Sequence, residues 1–514
     1  MTHHLVRPLA AGSAVLLLGA CSVANSGSGS PASPDTVRIV LPQEPPTLEP
    51  CDASLTSTGV VVRSNITEPL VERDPATGDL LPLLATAWEQ SSPTTWTFHL
   101  RPGVTFSDGT PFDAQAAAFS IQRTLDSDVS CDVEGYVFGD VDLGTEVVDP
   151  QTLVVTTPEP DPILPLRVSF IEVVPTSTST DAKVREPVGT GPFRVERWDA
   201  GQRLLLTRND TYWGQAPAYA AAEYEWRTEG SVRAAMVVGG EAEIATSIGP
   251  EDGAGATEVD YRNNETTAIR MQVGEPPLDD PRVRRAINLA VDRTSLAQIL
   301  FGNGAEPAAQ LVPEGIVGFN PDLEPVPYDP AQAQQLLDEA RADGVDLDVP
   351  IRLIGRTGQF PMIDEAVQVV QQQLADLGLD VSIRMVDTVQ SVEFQQRPFP
   401  NDPGPYLLVI QHGNQAGDAA FSMDQYLLSE GQQSSGGDPA FDERIRAAEA
   451  LSGQERQDAL AQVFADEPDT VGQYAYIAHM TGAIARSDRV DYEPNSATGD
   501  EMHLAAMEPT PEVS

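Results

Sequence analysis

Residues able to carry covalent or metal chemistry are sparse in this chain and poorly spaced for it. Beyond His3 and His4 near the N-terminus, the histidines are His99, His412, His479 and His503, far apart and without a metal-ligand spacing. There is no H-E-x-x-H and no G-x-S-x-G nucleophile turn, and the single lysine, Lys183, follows Ala182, so it cannot belong to a P-loop. Gly189 opens Gly-Thr-Gly-Pro-Phe-Arg, whose sixth position is Arg194 where a dinucleotide fingerprint needs glycine. The adjacent acids Asp279 and Asp280 stand before a helix start, where a carboxylate satisfies free N–H groups rather than forming an acid–base couple. No enzyme, metal site or cofactor is expected.

The cysteines carry the remaining chemistry. Arg7 is followed by an apolar run too short to span a bilayer, which ends at Leu18-Gly19-Ala20-Cys21. That is the form of the bacterial lipobox, in which cleavage precedes a cysteine that carries diacylglycerol. Residues 1–20 therefore read as a lipoprotein signal peptide, and 21–35, rich in Gly, Ser and Pro, as a flexible tether. A tether of that composition reaches roughly 20 Å. With Cys21 lipidated, Cys51 and Cys131 are left; neither lies in a C-x-x-C pair, and in an exported protein two such cysteines are expected to form a disulfide.

The formal charge is −46, which argues against nucleic acid and against anionic headgroups as partners, because both need Lys and Arg clusters. No other run approaches the length of a membrane span, so the lipid is the expected anchor on the outer face of the cell membrane. At 514 residues the chain exceeds one small core.

Three helices announce themselves by Asp-Pro starts at Asp280, Asp329 and Asp438, each followed by an apolar face at i, i+3, i+4 spacing. Between the second and third, Val349, Ile351 and Leu353 alternate as a strand, and Ile363, Val367, Val370, Leu374 and Leu377 form a helix stripe. Gly378 breaks that helix, and Leu379, Val381, Ile383 and Met385 alternate again. Strand–helix–strand with a short break predicts a right-handed parallel crossover. The first half of the chain instead shows strand runs separated by Pro-Gly, Asp-Gly and Asp-Ala-Gly turns.

Several tracts in fixed order carry a resemblance. They are "PPTLEP" at Pro45, "ITEPLVERDPATGDLLPLLATAWE" at Ile66, "WTFHLRPGVTFSDGTPFDAQAAAFSIQR" at Trp96, "PVGTGPFRVERWDAGQRLLLTRNDTYWG" at Pro187, "PLDDPRVRRAINLAVDRTSLAQILFGNG" at Pro277 and "FNPDLEPVPYDPAQAQQLLDEA" at Phe319. On these the chain resembles the family 5 extracellular solute-binding proteins, the oligopeptide- and dipeptide-binding group that serves ABC importers. The resemblance implies an α/β, two-lobed, periplasmic-binding-protein-like type II fold with an extra small domain inserted in the first lobe. The first lobe would comprise 35–70, 188–276 and 483–514, the insertion 71–187, and the second lobe 277–482. It further implies a monomer that encloses a small solute between the lobes and delivers it to a permease and ATPase complex.

The same resemblance points to three cleft tracts. Thr56, Ser57 and Thr58, ahead of Gly59, suit a loop whose backbone bonds a ligand. Arg356 closes a predicted parallel strand, where it would hold a ligand carboxylate bidentately. Gln411, His412, Asn414 and Asp418 lie where peptide-binding relatives place a Gly-Trp and then an aspartate for the ligand's ammonium. Here the Trp is absent and Asn414 stands near the acid's position, which implies a ligand N-terminus that is blocked or paired with Asp418. His412 is expected to be a hydrogen-bonded packing residue rather than a contact. The solute remains open between a peptide and a sugar, metal complex or opine-like conjugate. A surface sensor that does not import is the alternative, because it needs the same cleft.

Overall fold

The structure, a computed structural model, describes residues 35–53, 59–74, 77–131, 133, 137–139, 141–249, 252, 257–301, 304–400, 404–494 and 502–511. Cys21 and the tract Thr56, Ser57 and Thr58 lie outside the described residues. No helix among the described residues is long and apolar enough to cross a membrane.

Two long strands, Thr257–Met271 and Tyr474–Arg486, pair antiparallel and run through the middle of an eleven-stranded sheet. On one side Ile244–Ala245, Thr36–Leu41, Ala221–Trp226, Arg203–Arg208 and Phe193–Asp199 follow in that order. On the other side stand Tyr406–Gly413, Ile351–Arg356 and Val381–Val386, and the short strand Glu306–Pro307 pairs with Tyr474–Arg486 off this path. Thr36–Leu41 is parallel to Ala221–Trp226 and Ile244–Ala245, and Ile351–Arg356 is parallel to Val381–Val386 and Tyr406–Gly413. Each half has its own buried core, one around Ile39, Phe193 and Tyr224, the other around Ile287, Leu353 and Leu374. A separate four-stranded antiparallel sheet, ordered Ala85–Ser92, Thr95–Leu100, Thr152–Thr156 and Gly144–Asp149, packs with the helix Ala114–Asp126 around a third core that contains Phe98 and Phe106. The result is a two-lobed α/β molecule with an inserted subdomain.

Local chemistry explains the helix starts. Asp280, Asp329 and Asp438 each accept a backbone N–H from the first turn, from Arg282, Gln332 and Phe441 respectively, and proline follows at a position whose N–H would have no partner. In Pro281–Ala290 the face Val283, Ala286, Ile287 and Ala290 is buried, and burying a Val or Ile side chain is worth about 1.5–3 kcal/mol. The crossover between Ile351–Arg356 and Val381–Val386 runs through the helix Ile363–Asp376, after which Gly378 takes φ +80°. The alternation read for the second of these strands fails at Ile383, which is 39% exposed. Val381–Val386 is the outermost strand of the sheet, so its residues lack neighbours on one side.

Cys51 and Cys131 are disulfide-bonded across a sequence separation of 80, with both side chains buried in the third core. Beside them Asp52 accepts two hydrogen bonds from Lys183 Nζ, at 2.9 and 2.7 Å.

Candidate functional site

The pairing of the two crossing strands breaks between Arg262 and Thr266. Up to Arg262 the strand Thr257–Met271 pairs with Thr481–Arg486; from Glu265 onward it also pairs with Tyr406–Gly413. The bulge between, with Asn264 at φ +57°, bends the strand and re-aims its side chains. At this point a cavity of about 810 Å³ opens, lined from both halves of the sheet.

From one half come Arg356, Gln359 and Phe360, with Gln411 and Gln415 beside them. The Gln415 side chain lies over Gly413, where an added Cβ would fall 2.1 Å from its Oε1. From the crossing strand come Glu258, Asp260, Asn263 and Glu265, and from its partner Met480 and Thr481.

Arg356 is half-buried at the C-terminal end of its strand, before a turn in which Gly358 takes φ +71°. Its guanidinium has no hydrogen-bond or ion-pair partner among the described residues. Burial lowers its pKa, and the charge of Glu265 opposes that shift. The other arginine on the cavity, Arg233, donates to the carbonyls of Thr246, Arg227, Thr228 and Ser247 at 2.5–3.0 Å, so its role is structural. Glu258 and Asp260, two residues apart, have no ion-pair partner among the described residues. Both carboxyls are pushed up by burial, and Glu258 is raised further by Asp260. Glu265 is held in place by Gln411 Nε2 at 2.6 Å and Asn263 Nδ2 at 2.7 Å. The cavity thus sets one unpaired cation in one half against carboxylates on the crossing strand, which suits a solute bearing both charges.

The expected site residues divide. Arg356 and Gln411 line the cavity; His412, Asn414 and Asp418 do not, and their partners are internal. His412 is 2% exposed, its Nε2 lies 2.7 Å from Ser422 Oγ, its ring lies 4.4 Å from that of Tyr426, and burial drives its pKa down to about 3. Asn414 donates from Nδ2 to the carbonyls of Asn264 and Leu311 at 3.0 and 3.2 Å, and its Oδ1 accepts from Ser422 Oγ at 3.0 Å. Asp418 caps the helix Ala419–Tyr426 and is bound bidentately by Arg456 Nη2 and Nε at 2.8 and 2.9 Å. A carboxylate so committed has no capacity left for a ligand's ammonium, which corrects the expectation placed on Asp418. Sequence reading passed over Glu258, Asp260 and Glu265. Their signal was the alternation of acids in "TEVDYRNNET", a strand with one polar edge facing a cavity.

Residues 79–434 match the bacterial extracellular solute-binding proteins, family 5 Middle. The chain is 29% identical over 357 residues to the glutathione-binding protein GsiB of Salmonella paratyphi A, covering 65% of this chain and 67% of that protein. It is 27% identical over 423 residues to di/tripeptide-binding protein 2 of Pseudomonas aeruginosa, covering 75% and 78%. Among solved structures, the periplasmic binding protein DppA of Helicobacter pylori, in complex with the peptide STSA, superposes with a TM-score of 0.78 at 18% identity, covering 93% of this chain and 98% of that one.

Proposed function

The chain belongs to the bacterial extracellular solute-binding proteins of family 5, and from that premise we propose that it captures a small zwitterionic, peptide-like solute for an ABC importer. The observation that carries this reading is the cavity itself, with Arg356 unpaired in one half and Glu258, Asp260 and Glu265 on the crossing strand. Arg356 takes the ligand's carboxylate, and the strand acids, rather than Asp418, take its ammonium. The solute is enclosed between a first lobe built from 35–70, 188–276 and 483–514 and a second lobe of 277–482, with 71–187 inserted. Touching both lobes, it favours closure, because only differential affinity shifts an open–closed equilibrium. Relatives named for glutathione and for di- and tripeptides support a ligand of this class, since each carries an ammonium and a carboxylate. Lipid on Cys21 and the tether of 21–35 hold the monomer on the outer face of the cell membrane, within reach of a permease.

The test is native mass spectrometry of the co-purifying solute, followed by thermal-shift titration with free, N-acetylated and C-amidated di- and tripeptides. Free peptides at a hundredfold excess over Kd should add about 2.7 kcal/mol of stability. C-amidation or Arg356→Ala should abolish the shift, and so should N-acetylation or the pair Glu258→Gln, Asp260→Asn. Equal binding of acetylated and free peptides would refute the placement of the ammonium.

A further inference from the structure

The inserted subdomain is fastened to the first lobe. The Cys51–Cys131 disulfide joins them, Arg123 donates to Glu49 at 2.7 and 3.1 Å, and Lys183 donates to Asp52. On the lobe division proposed above, whatever the subdomain touches on the second lobe must therefore part when the cleft opens. Arg73 donates to the carbonyl of Gln415, whose side chain lines the main cavity. Ala416 and Phe421 are buried in the subdomain's core, and the Phe421 ring lies 6.3 Å from that of Phe170 and 4.9 Å from the Arg167 guanidinium.

Beside that contact two carboxyls meet. Asp424, one helical turn after Phe421 on Ala419–Tyr426, is hydrogen-bonded to Glu449, the last residue of the helix Pro439–Glu449. Two carboxyls bond to each other only by sharing a proton. The charged groups around them have partners of their own: Arg167 pairs with Asp161 at 3.0 Å, Arg446 with Glu430, and Arg456 with Asp418. Burial first, and then the charge of Asp424, push Glu449 up to about 9, against the opposing pull of Arg456 and Arg167. Burial raises Asp424 as well, opposed first by Arg167. A carboxylate at a helix C-terminus is disfavoured by the helix dipole too.

We propose that the seam between the inserted subdomain and the second lobe is a proton-operated clasp: closure covers Asp424 and Glu449 and takes up one proton between them, and opening releases it. This rests on the lobe closure proposed above and not on the ligand being a peptide. In the open form the pair meets water and both carboxyls return to their ordinary range. The closed-form value lies above the open-form one, so the contribution to closure is complete below about 4.5 and is lost as pH rises towards 9. One proton per closure limits the effect to about tenfold in affinity per pH unit.

The experiment is calorimetric titration of Ala-Ala against wild type and Glu449→Gln at pH 5.5 and 7.5. Glu258 and Asp260 titrate alike in both proteins, so their effect cancels in the ratio of the two Kd values. That ratio, wild type to Glu449→Gln, should rise at least tenfold from pH 5.5 to 7.5, and a constant ratio would overturn the clasp while leaving the peptide reading standing. Should Glu449→Gln not fold, wild type alone carries the test: titrations at pH 6.5 in buffers of different ionisation enthalpy must show about one proton taken up per Ala-Ala bound, and no uptake refutes the proposal. If Ala-Ala does not bind, the peptide reading falls and small-angle X-ray scattering of the ligand-free proteins decides the clasp. The radius of gyration of wild type must then rise from pH 5.5 to 7.5 more than that of Glu449→Gln, and equal behaviour of the two refutes it.

Discussion

Replacing Asp418 separates an interior role from a ligand-binding one. The Asp418 and Arg456 side chains are 2% and 4% exposed, with two hydrogen bonds between them, and Asp418 Oδ1 also accepts from Ala420 N at 2.9 Å. Arg456 keeps bonds to the carbonyls of Glu449 and Leu451, so in Asp418→Ala it stays buried and charged with no carboxylate. Breaking a buried pair by removing one partner costs about 3–5 kcal/mol, and loss of the helix cap adds about 1 kcal/mol. Asp418→Asn keeps the cap and should lose only the first of these. Urea unfolding followed by tryptophan fluorescence should therefore rank wild type above Asp418→Asn and Asp418→Ala last, the two variants separated by about 1 kcal/mol. Peptide affinity of the folded fraction should stay within about threefold, below the ~1.4 kcal/mol that a tenfold change represents. An Asp418→Ala protein as stable as wild type but unable to bind peptides with free N-termini would refute the reasoning.

Three further outcomes follow from the same geometry and sequence. The double variant Cys51→Ser, Cys131→Ser should lose roughly 4 kcal/mol in the chain-entropy account of a closed loop with a separation of 80, and urea midpoints under non-reducing conditions check it. His412 is neutral when folded, with its pKa lowered from 6.5 to about 3, so its contribution is complete above 6.5 and is lost as pH falls towards 3. His412→Gln should flatten that limb of the stability–pH profile by roughly 1.4 kcal/mol per pH unit, and an unchanged slope would contradict it. Cys21→Ala should leave an unprocessed precursor that incorporates no labelled fatty acid; a processed, membrane-bound variant would rule out the lipid anchor.

Elements set by local chemistry were legible, and contacts that depend on which way a strand faces were not. An Asp-Pro pair before an apolar stripe fixes a helix start regardless of the rest of the molecule, which is why Asp280, Asp329 and Asp438 could be read directly. Arg356 was legible for a related reason: a residue ending a parallel strand must emerge at the edge of the sheet, where clefts form. Glu258 and Asp260 were not, because acids on a strand ordinarily mark a solvated face, and only the pairing of Thr257–Met271 with Tyr474–Arg486 turns that face towards a cavity. Position 414 shows how residue type misleads without partners. Its amide donates to the carbonyls of Asn264 and Leu311, and the first of these lies in the bulge that sets Asn263 and Glu265 on the cavity. Aspartate at 414 has no hydrogen to give when ionised, so its oxygens would face two carbonyls and repel them. The bulge therefore requires an amide where resembling proteins carry an acid, and on the proposed reading the negative charge is supplied one strand over. The same bulge that excludes a carboxylate at 414 delivers one at Glu265, held by Gln411 and Asn263.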